Sequence, residues 1–451
     1  MSRFIPVNRQ QQYLLPPSVD EWLPDNHLAR FIVEVIEQLD LSRLVGRYRG
    51  RGSAAHHPAV LLALLVYGYA TGVFSSRKIE RATYDSVAFR FLSAETHPDH
   101  DTLANFRKTF LVELEDLFVQ VLSLAQAMKL VKLGQISLDG TKIKANASKH
   151  KALSHGHIEK LEAQLREEVQ ALLQKAAEAD RAEDLDGIDL PEELARRQDR
   201  LKALAEAKAK IVERVAERDA RAQQDYEQKV ARRQAQRQAG KKPRGKEPKP
   251  PETGPKDGDQ INLTDEQSRI MPSHDGFIQG YNSQAAVDVE TMLIVATTVS
   301  QQTNDKQQVE PMLAEIGKLP EALEKPEALL ADTGYFSADN VQACCDQKIE
   351  PLIAMGRESH HVPLAERLAP DAPEPETTDP VETMAWKLKT KEGKARYAKR
   401  KSTVEPVFGI IKRVLGFRQF SLRGLEAVTG EWKLVALAFN LKRMHVLAEA
   451  Q

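Results

Sequence analysis

Residues 135–144 read QISLDGTKIK, and the fold turns on how this stretch is read. Ile136 and Leu138 face one way while Ser137 and Asp139 face the other, which is the period of a β-strand and not of a helix. The strand carries an acid. At Gly140 the parity slips, because Ile143 falls in step with Asp139, so a bulge or bend is predicted at the glycine.

Upstream of this strand the text is helical. Leu28, Phe31, Ile32, Val35, Ile36 and Leu39 recur at steps of three and four, and further helices are predicted in 58–72, 75–92 and 102–130. Residues 1–130 therefore read as an all-helical domain with the apolar Pro58 helix at its centre. Arg77, Lys78, Arg81, Arg107 and Lys108 give it a candidate DNA-binding face, against the plainer reading of a solvated helix face. Asp101 and Thr102 read as the cap of the helix that follows them.

Downstream, from about His150 to Gln260, the chain becomes rich in Ala, Glu, Lys, Arg and Gln. Ile158, Leu161, Leu165, Val169 and Leu172 form one apolar stripe, and Leu194, Leu201, Leu204, Ile211 and Val215 form another, with a turn-like DLDGIDLP between them. Two antiparallel helices, a coiled-coil-like insert over 151–259, are expected. Residues 231–250 carry 8 basic side chains and 1 acidic one and read as a basic linker, either solvated or touching phosphates. After the insert the signals run strand, strand, helix, strand, helix, strand, then a polar Pro- and Glu-rich stretch over 360–380 and two closing helices. That order predicts a mixed α/β sheet split by the insert, built from 131–150 and 260–451.

Three acids have a telling context. Asp139 lies in the first strand, Asp332 ends the buried run ALLAD before Thr333 and Gly334, and Glu405 opens the amphipathic helix STVEPVFGIIK. Hard divalent cations take oxygen ligands, and a pair of them can bind both the attacking and the leaving oxygen of a phosphoryl displacement. Clustered carboxylates repel without a cation, so metal binding is expected to strengthen with pH. Each acid also has a structural reading: a turn at Asp139, bonds from Asp332 to the amides after it, and a capping box at Ser402 to Glu405. The surroundings of Glu405 favour phosphate chemistry, since Lys391 to Arg423 hold 10 cations against 2 acids. Lys401, Glu405 and Lys412 share one helical face, although Lys401 and Glu405 are also spaced for an ordinary ion pair.

SLDGTKIKANAS, ADTGY and YAKRKSTVEPVFGIIKRVLGFRQFSLRG together resemble the three catalytic blocks of bacterial insertion-sequence transposases of the DDE class. LPPSVDEWLPDNHLARFI, HPAVLLALLVYGYATGVFSSRKIE, PDHDTLANFR and NLTDEQSRIMPSHDGFIQGYNSQAAVD extend the likeness. The resemblance implies a ribonuclease H-like core with a mixed five-stranded sheet, an all-α N-terminal domain and an inserted helical hairpin. It implies Asp139, Asp332 and Glu405 as the catalytic, metal-holding triad, with two Mg2+ ions or Mn2+ in their place. Tyr397, Arg400 and Lys412 resemble the Tyr-Arg-Glu-Lys signature, and with Lys401 and Arg413 they are the implied DNA contacts. Four residues separate Arg400 from Glu405 where the signature has three, and Lys401 stands at the usual spacing. The implied activity is DNA strand cleavage and strand transfer on double-stranded DNA, by a homodimer; a nuclease without strand transfer and a non-catalytic DNA-binding regulator are the alternatives.

Composition bounds these readings. At 451 residues the chain exceeds one core, so two or more domains are expected. Lys plus Arg (64) against Asp plus Glu (65) gives a net charge of -1, so any nucleic-acid surface must come from segregated charge. The only cysteines, Cys344 and Cys345, are adjacent and read as packing residues, which excludes a disulfide framework or a Cys-built zinc site. His97, His100, His150, His155 and His157 are too local to make a zinc site. Without a GxxxxGK loop no nucleotide cofactor is expected. With no signal peptide or membrane span, the expected location is cytoplasmic, at the bacterial nucleoid.

Overall fold

A computed structural model describes residues 18–48, 55–179, 190–240, 246–273, 276–356 and 370–450. The chain divides into two compact units, residues 1–144 with 281–451, and residues 145–280.

The first unit opens with α1 (Val19–Trp22), α2 (Leu28–Glu37), α3 (Ser42–Gly46), α4 (Pro58–Thr71), α5 (Ser76–Asp85), α6 (Val87–Leu92), α7 (His100–Thr109) and α8 (Glu113–Ala127). α4 is apolar on every side and almost wholly buried, as a central core helix must be. Two of the long helices expected here are each broken in two. Extended backbone at Ser86 separates α5 from α6 and lets Ala88, Phe89 and Leu92 turn inward, and residues 110–112 separate α7 from α8. The cap of α7 is Asp99 and not Asp101–Thr102, because the Asp99 carboxylate takes the Thr102 amide at 2.7 Å. β1 (Gln135–Lys144) follows. It runs unbroken through Gly140.

The second unit holds β2 (Ala152–Ser154), α9 (His155–Ala179), α10 (Leu190–Gln238), β3 (Gln260–Asn262) and β4 (Arg269–Ser273). The expected stripes meet: Ile158 and Leu165 bury against Leu204, Ala207, Ile211 and Val215, closed by Ile261. Arg197 pairs with Glu168 at 2.9 Å and Lys208 with Glu159 at 3.1 Å, a descending match that makes the helices antiparallel. The expected turn, 184–191, lies largely outside the described residues. α10 continues to Gln238, so the first part of the expected linker is helix, in keeping with its Ala, Arg and Gln content.

β5 (Gly276–Asp288) begins in the second unit, where its first residues pair antiparallel with β4, and enters the first. There follow β6 (Ile294–Ser300), α11 (Val309–Ile316), β7 (Ala328–Ala331), α12 (Ala338–Asp346), β8 (Glu350–Ile353), α13 (Pro380–Lys387), α14 (Lys391–Ala398), α15 (Val404–Gly409), a π-helical turn over Ile410–Val414, and α16 (Leu425–Glu449). The first unit's strands lie in the order β6-β5-β1-β7-β8, antiparallel between β5 and β6 and parallel from β1 through β7 to β8. β4 makes six strands where five were expected, because β5 is long enough to pair twice along its length. β7 is buried at all four residues, as a central parallel strand is. α16, with Trp432 fully buried, packs against β6, α4 and α8 and joins the N-terminal helices to the sheet. Among the described residues no single helix is long and apolar enough to cross a membrane.

Candidate active site

β1 and β7 pair in parallel from Gln135 opposite Ala328 to Leu138 opposite Ala331. The next residue on β1 is Asp139 and the next on β7 is Asp332. Two strands remote in sequence thus deliver an aspartate each to adjacent positions, Asp139 midway along β1 and Asp332 just past the carboxyl end of β7, the edge where ligands of such sheets bind. Asp332 also does what its structural reading required, taking the Gly334 amide at 2.8 Å as cap of the turn Thr333–Tyr335. Asp139 takes the Gly140 amide at 2.7 Å.

Burial pushes the Asp139 carboxyl up to about 6, and the charges of Asp332 and Asp305 add to the rise, while the Gly140 amide and Arg400 oppose it. Glu405 opens α15 with its side chain 52% exposed. Arg400, only 8% exposed, spans the two acids, one guanidinium nitrogen lying 3.5 Å from Asp139 and the other 3.3 Å from Glu405. The capping box is not made: Thr403 has no side-chain bond to the start of α15, and its hydroxyl donates to Lys399 O at 2.7 Å instead. Among the described residues no three His, Cys, Asp or Glu side chains stand close enough to hold a metal ion together. Asp139 and Glu405 are both turned to the one Arg400 guanidinium.

The remaining predicted residues separate. Lys412, in the π-helical turn, donates to Lys142 O at 2.9 Å, and burial and the Lys142 charge lower its pKa. Lys401 and Arg413 face solvent. Tyr397 packs against Val289, Ala328, Leu330 and Leu352. Asp305, which no sequence pattern marked, joins the group: its carboxylate takes Asn282 and Gln284 at 2.7 Å each and Lys142 at 3.3 Å. The strand at Gly140 needs no bulge to explain the glycine, since a methyl there would stand 2.2 Å from Gln284 Nε2 and 2.7 Å from Asp305 Oδ1.

Residues 248–441 match the Transposase DDE domain family, and residues 17–109 match the family described as Transposase domain (DUF772). The chain belongs to the insertion-sequence DDE transposases. No curated protein and no solved structure matches it. As a transposase the chain is a DNA-binding, DNA-cleaving and strand-transferring enzyme. The DDE match takes in Asp305, Asp332, Arg400, Glu405 and Lys412, and Asp139 precedes it.

Elsewhere in the transposase, histidines and cysteines have ordinary partners. His97 bonds Thr83 at 2.9 Å and stacks on Tyr84, and His100 pairs with Glu80 at 2.8 Å. Cys344 is a buried packing residue whose thiol burial raises to about 12.

Proposed function

We propose that Asp139, Asp332 and Glu405 are the carboxylates with which this transposase cuts DNA at the ends of its element and joins the freed 3′ ends to target DNA. The observation that carries the reading is the register adjacency of Asp139 and Asp332. The sheet order, with the first, fourth and fifth strands of the core parallel and the second and third antiparallel, supports a ribonuclease H-like core.

The donor set fits a hard divalent cation. It is all oxygen, and the Asp139 carboxyl is held up by burial and by neighbouring carboxylates, a strain that a cation relieves. Asp139 and Asp332 would hold it, with Glu405 completing the set when its ion pair with Arg400 opens. Bound there, magnesium, two ions or manganese in their place, would supply the Lewis acidity that activates water or a 3′ hydroxyl and neutralises phosphate charge.

The chain's own groups do the rest. Arg400, buried beside Asp139 and Glu405, is preorganised to stabilise negative charge on the phosphate under attack, and half-buried Lys412, held by Lys142 O, adds a second cation from the same segment. Lys401 and Arg413, facing solvent on the same segment, bind the flanking backbone electrostatically. Tyr397 acts through packing and holds α14 against the sheet. Synapsis of two element ends is the work of a homodimer, and the enzyme acts in the bacterial cytoplasm at the nucleoid. No feature of the site favours a nuclease without strand transfer or a non-catalytic regulator.

The test is an element-end duplex incubated with target DNA, magnesium and either wild type or Asp139→Asn, Asp332→Asn and Glu405→Gln. Loss of both cleavage and joining in all three is expected; normal cleavage in any one removes that residue from the mechanism.

A further inference from the structure

Asp305 lies in the turn between β6 and α11 and is assigned no role above. Its Oδ1 takes three donors, Asn282 and Gln284 at 2.7 Å and Lys142 at 3.3 Å. Asn282 and Gln284 are two residues apart on β5 and so share a face, while Lys142 sits three residues beyond Asp139 on β1. The Tyr335 hydroxyl donates to Gln284 Oε1. Buried Asn340 donates to Lys306 O at 2.7 Å and to Tyr335 O at 2.6 Å, tying the turn at Asp305 to the turn at Asp332.

The backbone leaves room for this carboxylate on two sides. A methyl on Gly140 would stand 2.7 Å from Asp305 Oδ1, and one on Gly334 would stand 3.0 Å from Asp332 Oδ1 and 4.0 Å from Asp305 Cβ. Gly140 directly follows Asp139 and Gly334 lies two residues past Asp332, so Asp305 is lodged close to both of the segments that present these aspartates.

We infer that Asp305 is a positioning residue, an outer partner that fixes where Asp139 and Asp332 stand and so sets how tightly they take up a divalent cation. The inference rests on the reading of those two aspartates as cation ligands. Two physical effects act together. The threefold-bonded carboxylate ties the Asp305 turn to β5 and β1, and Gln284 and Asn340 carry the tie on to the Asp332 turn. It also neutralises Lys142, whose ammonium would otherwise stand unpaired beside the site and repel a divalent cation. Outer partners of this kind typically change metal affinity by about 10- to 100-fold.

The experiment uses the full chain and Mn2+ alone as probe, titrated without DNA by the electron paramagnetic resonance signal of the free ion, with thermal melting of each variant. Asp305→Asn is expected to weaken Mn2+ binding by about 10-fold or more while melting as a folded protein, and Asp139→Asn to abolish binding. Binding by Asp305→Asn within twofold of wild type overturns the inference and leaves the ligand reading standing. Wild-type binding by Asp139→Asn overturns the ligand reading, and the inference with it. Should Asp305→Asn not fold, Asn282→Ser removes one donor and keeps the charge: a threefold or greater loss of affinity supports the inference, and no change overturns it.

Discussion

Tyr69 and Glu431 meet in the core of the first unit, the tyrosine hydroxyl donating to the glutamate Oε1 at 2.8 Å. Arg107 donates to the same hydroxyl at 3.0 Å, and Glu431 also takes the amides of Ser421 at 2.9 Å and Leu422 at 3.0 Å. The segment so held returns to β1, because Phe420 N donates to Lys144 O at 2.9 Å. The N-terminal helix α4 is thereby connected by hydrogen bonds to the strand that carries Asp139.

Tyr69→Phe leaves a fully buried carboxylate short of one donor and is expected to destabilise the protein by about 1 to 3 kcal/mol. Denaturant unfolding followed by circular dichroism measures it. Because the bond crosses from α4 to α16, the loss should appear in one transition shared by helices and sheet; a change below about 0.5 kcal/mol would mean the bond is not an integral part of that core.

Arg400 and Lys401 are distinguishable by substitution. Arg400→Lys keeps the charge but loses the planar fork that spans Asp139 and Glu405, so cleavage is expected to fall about 10-fold or more. Lys401→Gln removes an exposed charge and should only weaken DNA binding and lower its salt dependence by about one ion. Rates of element-end cleavage at saturating DNA decide between them, and equal losses in the two variants would contradict the geometry.

Metal-free stability should depend on pH through Asp139, which faces Asp332, Asp305 and Arg400. Its carboxyl, raised to about 6 from 3.8, holds a proton more tightly in the folded state than in the unfolded one. Stability from this group is therefore fully present below about pH 4 and is lost as pH rises through about 6. Asp139→Asn, which cannot ionise, should melt higher than wild type at pH 7.5, by at most about 3 kcal/mol, and the gap should close toward pH 4. A gap that widens toward acid pH would contradict the assigned shift.

Much of this was legible because it is periodic. The stripe Ile158, Leu165 against Leu204, Ile211, Val215 announces the hairpin, and ALLAD is too short and too apolar to be anything but a buried strand ending in an acid. Asp305 escaped because nothing periodic surrounds it in QQTNDKQQ; its role depends on Asn282 and Gln284, which meet it only through the pairing of β5 and the turn after β6. Arg400 was ambiguous for a related reason. Linear spacing carries over only along one unbroken helix, and residues 399–403 break α14 from α15, so the inward-facing cation is not the one that counting selects. α13 and α14 were hidden by their polar, Pro-flanked sequence, where caps at Asp379 and Thr390, not an apolar stripe, fix their starts.

The most direct measurement of the central claim is anomalous diffraction from crystals of the full chain soaked in Mn2+. The account requires a peak where β1 passes the carboxyl end of β7, within bonding distance of both Asp139 and Asp332, and its loss in Asp332→Asn crystals. Well-ordered aspartates with no peak between them, or a peak bound by other side chains, would contradict it.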